Sequence, residues 1–136
     1  MLDLTVQDAA ESSFVKELGL VQDGSPSRYR LSSIFLKDIF CVQLKEGKGG
    51  KVQSVEVEVP SDVVGHPVLG PILNRLLKTL VESCGDSPGT EQWPVVTSEA
   101  RQIHFEEHSL SIDSENDNVS FSLSRKRKGF WSFITS

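Results

Sequence analysis

Apolar side chains recur at helical spacing near the middle of the chain. Between residues 67 and 84 they follow the i, i+3, i+4 rule of an amphipathic helix, at Val68, Leu69, Ile72, Leu73, Leu76, Leu77, Leu80 and Val81. Pro67 or Pro71 suits a first helical turn, and Gly85 suits the residue after the last one. The pattern predicts a central helix over about 67–84 whose apolar stripe packs on a sheet.

A shorter helical pattern lies near the N-terminus. Apolar residues recur there every four positions, at Val6, Ala10, Phe14 and Leu18. Thr5 or Asp8 can cap the segment, and Gly19 tolerates the left-handed conformation on which helices commonly end. We therefore expect an N-terminal helix over about 6–18.

Alternation with a period of two predicts the strands. In 51–59, valines at every second position alternate with Glu56 and Glu58, and the glycine-rich stretch 46–50 separates this segment from the apolar segment 39–45. The two segments should form a β-hairpin. Further strands are expected over 29–36, 101–112 and 119–123, as well as a turn or bulge near Glu107 and His108, where the apolar phase shifts.

Short connections between these strands indicate a mainly antiparallel sheet. Together with helices of about 67–84 and 6–18 packed on one face, this defines the α+β class. We expect one domain over residues 1–136 with a basic-aromatic C-terminal segment at 125–136. The layout resembles that of type III secretion chaperones, which are small, acidic and place a helix between two groups of strands. That resemblance implies a binder of an unfolded client segment, although the chain shows no pattern for their closing C-terminal helix.

The charge and cysteine content of the chain limit the class of partner and the cellular compartment that we expect. The net charge of −5 argues against a general nucleic-acid binder, so we expect another protein as the partner, with self-association as an alternative. The chain has two cysteines, no secretory signal pattern and no apolar run long enough to cross a bilayer. These features predict a soluble intracellular protein of the cytoplasm or the nucleus.

One group of residues could bind a metal. On an unbroken strand His104, Glu106 and His108 would share a face, and two imidazoles with a carboxylate suit zinc. A small metal-dependent enzyme is therefore one hypothesis. The alternation of polar groups on a solvated strand explains the same pattern more simply, so we expect no metal, no cofactor and no catalytic residues.

The C-terminal stretch is the least typical part of the sequence. Four consecutive cations are followed by three aromatic residues, and together they are Arg125, Lys126, Arg127, Lys128, Phe130, Trp131 and Phe133. The run could be an import signal, a membrane anchor, a partner-docking segment, or an edge strand that ends in packed aromatics. We expect these residues, together with the exposed face and edge of strand 51–59, to serve a non-catalytic interaction or assembly module.

The docking hypothesis for the C-terminal segment predicts the effect of Trp131→Ala. Tryptophan is enriched among interface hot spots, so this change should weaken partner binding by about 2 kcal/mol. A binding titration beside a thermal melt measures both quantities. A lower melting temperature with unchanged affinity would instead assign Trp131 to the core.

Overall fold

The protein is described here by a computed structural model that covers residues 2–31, 39–88 and 101–126. Its helices are α1 (Val6–Ala9), α2 (Ser13–Leu18) and α3 (Leu69–Ser83). Its strands are β1 (Leu20–Gln22), β2 (Arg28–Leu31), β3 (Cys41–Glu46), β4 (Val52–Pro60), β5 (Arg101–His104), β6 (His108–Glu115) and β7 (Asn118–Arg125). No helix within these ranges has the length and apolar character needed to span a bilayer.

All seven strands belong to one sheet, in the order β1-β2-β3-β4-β7-β6-β5. Every neighbouring pair is antiparallel, which confirms the predicted α+β class. The two halves of the sheet meet where β4 pairs with β7, from Ser54 opposite Ser124 to Pro60 opposite Asn118. Strands from distant parts of the chain therefore lie side by side at the centre.

The hairpin of β3 and β4 confirms the clearest strand prediction. Valines 55, 57 and 59 are buried while Glu58 is exposed, as the alternation requires. Gly49 and Gly50 adopt positive φ angles of 79° and 71° in the connecting turn, a conformation that glycine tolerates best. The expectation that the edge of this strand accepts a partner is wrong, because β4 lies between β3 and β7 and both its edges are hydrogen-bonded.

The central helix α3 covers the inner face of the sheet. Its stripe is fully buried at Leu73, Leu76, Leu77, Leu80 and Val81. These side chains share one core with inward residues of the sheet, among them Val57 and Phe121. Gly85 follows the helix with a φ of 89°, as predicted for the residue that ends it.

The N-terminal helical segment is divided. Thr5 caps α1 through a 3.1 Å bond from the Asp8 amide to its hydroxyl, and Gly19 ends α2 with a φ of 63°. Between them Ser12 has an extended backbone, with φ −70° and ψ 157°, which interrupts the helix. On either side of this break, Val6 of α1 and Phe14 of α2 are both buried in the core.

The remaining strand predictions hold with adjusted bounds. The shift in apolar phase within 101–112 corresponds to a tight turn between β5 and β6, so the segment forms a hairpin instead of one strand. Predicted strand 29–36 is present as β2 up to Leu31, and its later residues lie outside the described ranges. Strand β1 has no clear period of its own and was not predicted.

Burial of the α3 stripe predicts that Leu76→Asp or Leu77→Asp unfolds the protein. The two side chains are 1% and 0% exposed, and an unpaired charge there costs several kcal/mol against a total stability of about 5 to 15 kcal/mol. Arg75→Asp is the matched control, because Arg75 is exposed on the same helix. Circular dichroism melts should show a folded control and two unfolded variants. Wild-type melting of both leucine variants would contradict this role of the helix.

Candidate functional site

The basic run begins at the end of β7. Arg125 is the last residue of β7, directly opposite His108 of β6. The backbone amide of Lys126 then donates a 2.8 Å hydrogen bond to the carbonyl oxygen of Glu107. The other predicted partner-binding residues lie outside the described ranges, and they are Arg127, Lys128, Phe130, Trp131 and Phe133. β7 pairs with both β4 and β6 as far as Ser124, whereas Arg125 pairs with β6, and the rest of the segment predicted as an edge strand lies outside the described ranges.

The N-terminal segment continues beside β4 where β7 stops. Val52 accepts a 2.9 Å hydrogen bond from the amide of Asp3 and donates a 2.7 Å bond to the carbonyl of Leu4. Thr5 forms a further antiparallel bridge with Lys51. Residues 3–5 therefore occupy the place along β4 that β7 leaves vacant, next to Arg125.

A cleft opens between these segments and the β3–β4 turn. It has a volume of about 570 Å³, and its lining includes Lys48 and Lys51 of the turn, Arg125 of β7 and Asp3 of the N-terminal segment. Gln53 and Ser124 add neutral polar groups. Three cations and one carboxylate thus line one concave surface of a chain whose net charge is −5.

One ion pair lies inside the cleft. The Nη1 atom of Arg125 is 2.6 Å from Oδ2 of Asp3, with 57% and 59% of the two side chains exposed. Exposed pairs of this kind stabilise a fold by about 0 to 1 kcal/mol. Lys48 and Lys51 are exposed and form no ion pair with any residue in the described ranges. The cleft therefore presents positive charge to solvent.

A buried pair lies near the end of β7, since it includes His108, which is opposite Arg125. Nδ1 of His108 lies 2.5 Å from Oδ2 of Asp86, and the two side chains are 2% and 3% exposed. The same carboxylate accepts a 3.0 Å hydrogen bond from the backbone amide of Glu107. Nε2 of His108 is buried without a hydrogen-bond partner among the described residues. Asp86, just after α3, therefore fastens the β5–β6 turn to the end of the helix.

The charge state of Asp86 reflects two opposing effects. Burial by itself would raise the pKa of this carboxyl, because a charge is costly in a low-dielectric interior. The hydrogen bonds from His108 and from the Glu107 amide outweigh burial, so the pKa of Asp86 lies below its ordinary value. A carboxylate that is more acidic when folded stabilises the fold only while it is ionised.

A short chain of contacts joins this pair to the cleft. Asp86 holds the amide of Glu107, and the carbonyl of Glu107 in turn accepts the amide of Lys126. The β5–β6 turn therefore holds the backbone of Lys126, the residue that follows β7. Through these bonds the buried pair positions the start of the basic segment.

The structure does not bring the three candidate metal ligands together. His108 is turned into the core, whereas His104 and Glu106 are exposed. His104 pairs with Ser109, so it lies on the opposite face of the sheet from His108. The tight turn after His104 reverses the chain, which breaks the alternation on which the hypothesis depended. No cluster of three His, Cys, Asp or Glu side chains within the described part of the chain has metal-binding geometry.

The glycine-rich turn and the two cysteines lie apart from the buried pair. The glycine-rich stretch 47–50 forms the β3–β4 turn, as its glycines predicted. Cys41 and Cys84 are both free and half-buried. Burial raises the pKa of the Cys84 thiol, which disfavours the reactive thiolate.

Sequence reasoning found Arg125 and Lys126 but missed Lys48, Lys51 and Asp3. The sequence marked Lys48 only as a turn residue, Lys51 as the first residue of the predicted strand 51–59, and Asp3 as an ordinary acid. Their proximity to Arg125 follows from the β4–β7 pairing, which joins residues about 70 positions apart and leaves no local signal in the sequence.

Comparison with protein-family models, curated proteins and solved structures gives no match to this chain. The resemblance in layout to type III secretion chaperones therefore stays a prediction.

The buried pair predicts that Asp86→Asn destabilises the protein by about 1 to 3 kcal/mol at neutral pH, because one buried donor loses its carboxylate partner. The difference from wild type should shrink as the pH falls through the depressed pKa of Asp86, since the wild-type carboxylate is then protonated as well. Urea denaturation over a pH series measures this. Asp62→Asn is the control, because Asp62 is exposed. A difference that stays constant down to the lowest pH would contradict the assignment.

Proposed function

We propose that this protein is a non-catalytic interaction module that docks an acidic segment of another protein in the cleft beside β7. The observation that carries the proposal is the meeting of Lys48, Lys51 and Arg125 around one concave surface. The three cations come from two distant parts of the chain. Arg125 also begins the basic run, whose next cation, Lys126, is anchored through its backbone.

Charge indicates the kind of partner. The chain as a whole carries −5, so a large polyanion such as duplex DNA would be repelled by most of its surface. A short acidic protein segment needs only a local positive surface. Complementary charge of this kind accelerates association and selects among partners.

The alternatives have less support. A chaperone-like holder of an unfolded client needs a contiguous apolar surface, yet across the described ranges Val21 and Val68 are the large apolar side chains that are exposed. The metal-enzyme hypothesis requires His104 and His108 on one face, and they lie on opposite faces.

Removing two cleft cations tests the proposal. In a fluorescence titration at low salt with a labelled oligoglutamate peptide, Lys48→Gln with Arg125→Gln should weaken binding by about five- to tenfold, mainly through slower association. Added salt should reduce the wild-type affinity.

The matched control for that titration is Lys16→Gln with Arg75→Gln, which removes the same charge from α2 and α3, outside the cleft. An equal loss in both double variants would show that only the net charge matters. If a single-stranded oligonucleotide binds more tightly than the peptide, the proposal that the partner is a protein is wrong.

A further inference from the structure

We infer that Asp3 occupies, in the free protein, the position on Arg125 that a carboxylate of the acidic partner takes in the complex. The N-terminal segment would then compete with the partner for the cleft. This inference rests on the proposed function and adds to it the chemistry of the contact and its regulation.

The ion pair itself identifies the ligand group. A carboxylate oxygen of Asp3 already lies 2.6 Å from the guanidinium of Arg125, so the cleft accepts a carboxylate at this point. Guanidinium groups bind carboxylates through short, charge-assisted hydrogen bonds. The aspartate and glutamate side chains of a protein partner carry the same group.

The backbone of Asp3 is held in an unusual conformation. Its φ is 70°, in the left-handed region that residues other than glycine seldom adopt, although aspartate and asparagine tolerate it best among them. The bond from its amide to Val52 and the burial of Leu2 on its N-terminal side keep the segment in place. The segment therefore directs a carboxylate toward Arg125.

Another carboxylate can also replace that of Asp3 on Arg125 at little cost. Both side chains are more than half exposed, so the pair contributes little to folding and its loss costs the protein little. Only the Asp3 side chain needs to rotate, because the backbone bonds to Val52 do not involve it. A partner with several carboxylates can reach Lys48 and Lys51 as well, which the single carboxylate of Asp3 leaves unpaired within the described part of the chain. An acidic segment with two or more carboxylates should therefore displace Asp3.

The Asp3→Asn variant isolates the competition between the Asp3 carboxylate and the partner for Arg125. Asparagine keeps the size of aspartate and tolerates the same positive φ, so the backbone should be unchanged while the competing charge is lost. In a titration with the oligoglutamate peptide, Asp3→Asn should bind about threefold more tightly than wild type, the scale expected for releasing one exposed ion pair. Asp3→Gly is the second variant, since glycine adopts this φ without strain.

Two controls separate competition from net charge. Asp113→Asn removes one acid from an exposed position of β6 outside the cleft and should leave the affinity unchanged. In a protein that already carries Arg125→Gln, Asp3→Asn should raise the affinity for the peptide no more than Asp113→Asn does. The guanidinium for which the carboxylates of Asp3 and the peptide compete is then absent. Thermal melts verify that each variant is folded.

Equal affinities for the Asp3→Asn and Asp113→Asn variants, together with weakened binding by the cleft double variant, would overturn this inference and leave the proposed function intact. A wild-type protein that does not bind the peptide, or a cleft double variant that binds as well as wild type, would overturn both.

Discussion

The pairing of β4 with β7 is the constraint on which the rest of this structure depends. It joins the strands that precede α3 to the strands that follow it, so that one sheet forms with a continuous inner face for the helix. Along the pair, buried residues meet in register, with Val55 opposite Leu123 and Val57 opposite Phe121. A slip of one residue would turn these side chains to solvent, so burial of the inner face specifies the register.

The same pairing assembles the cleft. Arg125 ends β7 close to the start of β4, and the β3–β4 turn lies beyond that start with its two lysines. The N-terminal segment then bonds to β4 at Val52 in the space that remains. Main-chain hydrogen bonds of the neighbouring strands and turn position each cation at the cleft. Contacts among the cations themselves are not required to bring them together.

The polar contacts around the site divide by burial into two kinds. The pair of Asp86 and His108 is buried, so it cannot exchange its partners for water, and it fixes the β5–β6 turn on which the backbone of Lys126 depends. The pair of Arg125 and Asp3 is exposed and can exchange with little loss of stability. A buried support and a replaceable surface contact are consistent with the reversible docking that we propose for this site.

The sequence by itself determined the elements whose pattern is local. The stripe from Leu69 to Val81 predicts α3, the alternation from Val55 to Val59 predicts β4, and Gly85 ends the helix because glycine adopts positive φ freely. Local patterns also predict the α+β class, since they record which face of each element is apolar. The tertiary structure alone decided that β4 is an interior strand, that His108 faces Asp86 and not a metal, and that Lys48 and Asp3 lie beside Arg125. These facts depend on which distant segments pair, and a periodic pattern carries no information about the identity of its partner.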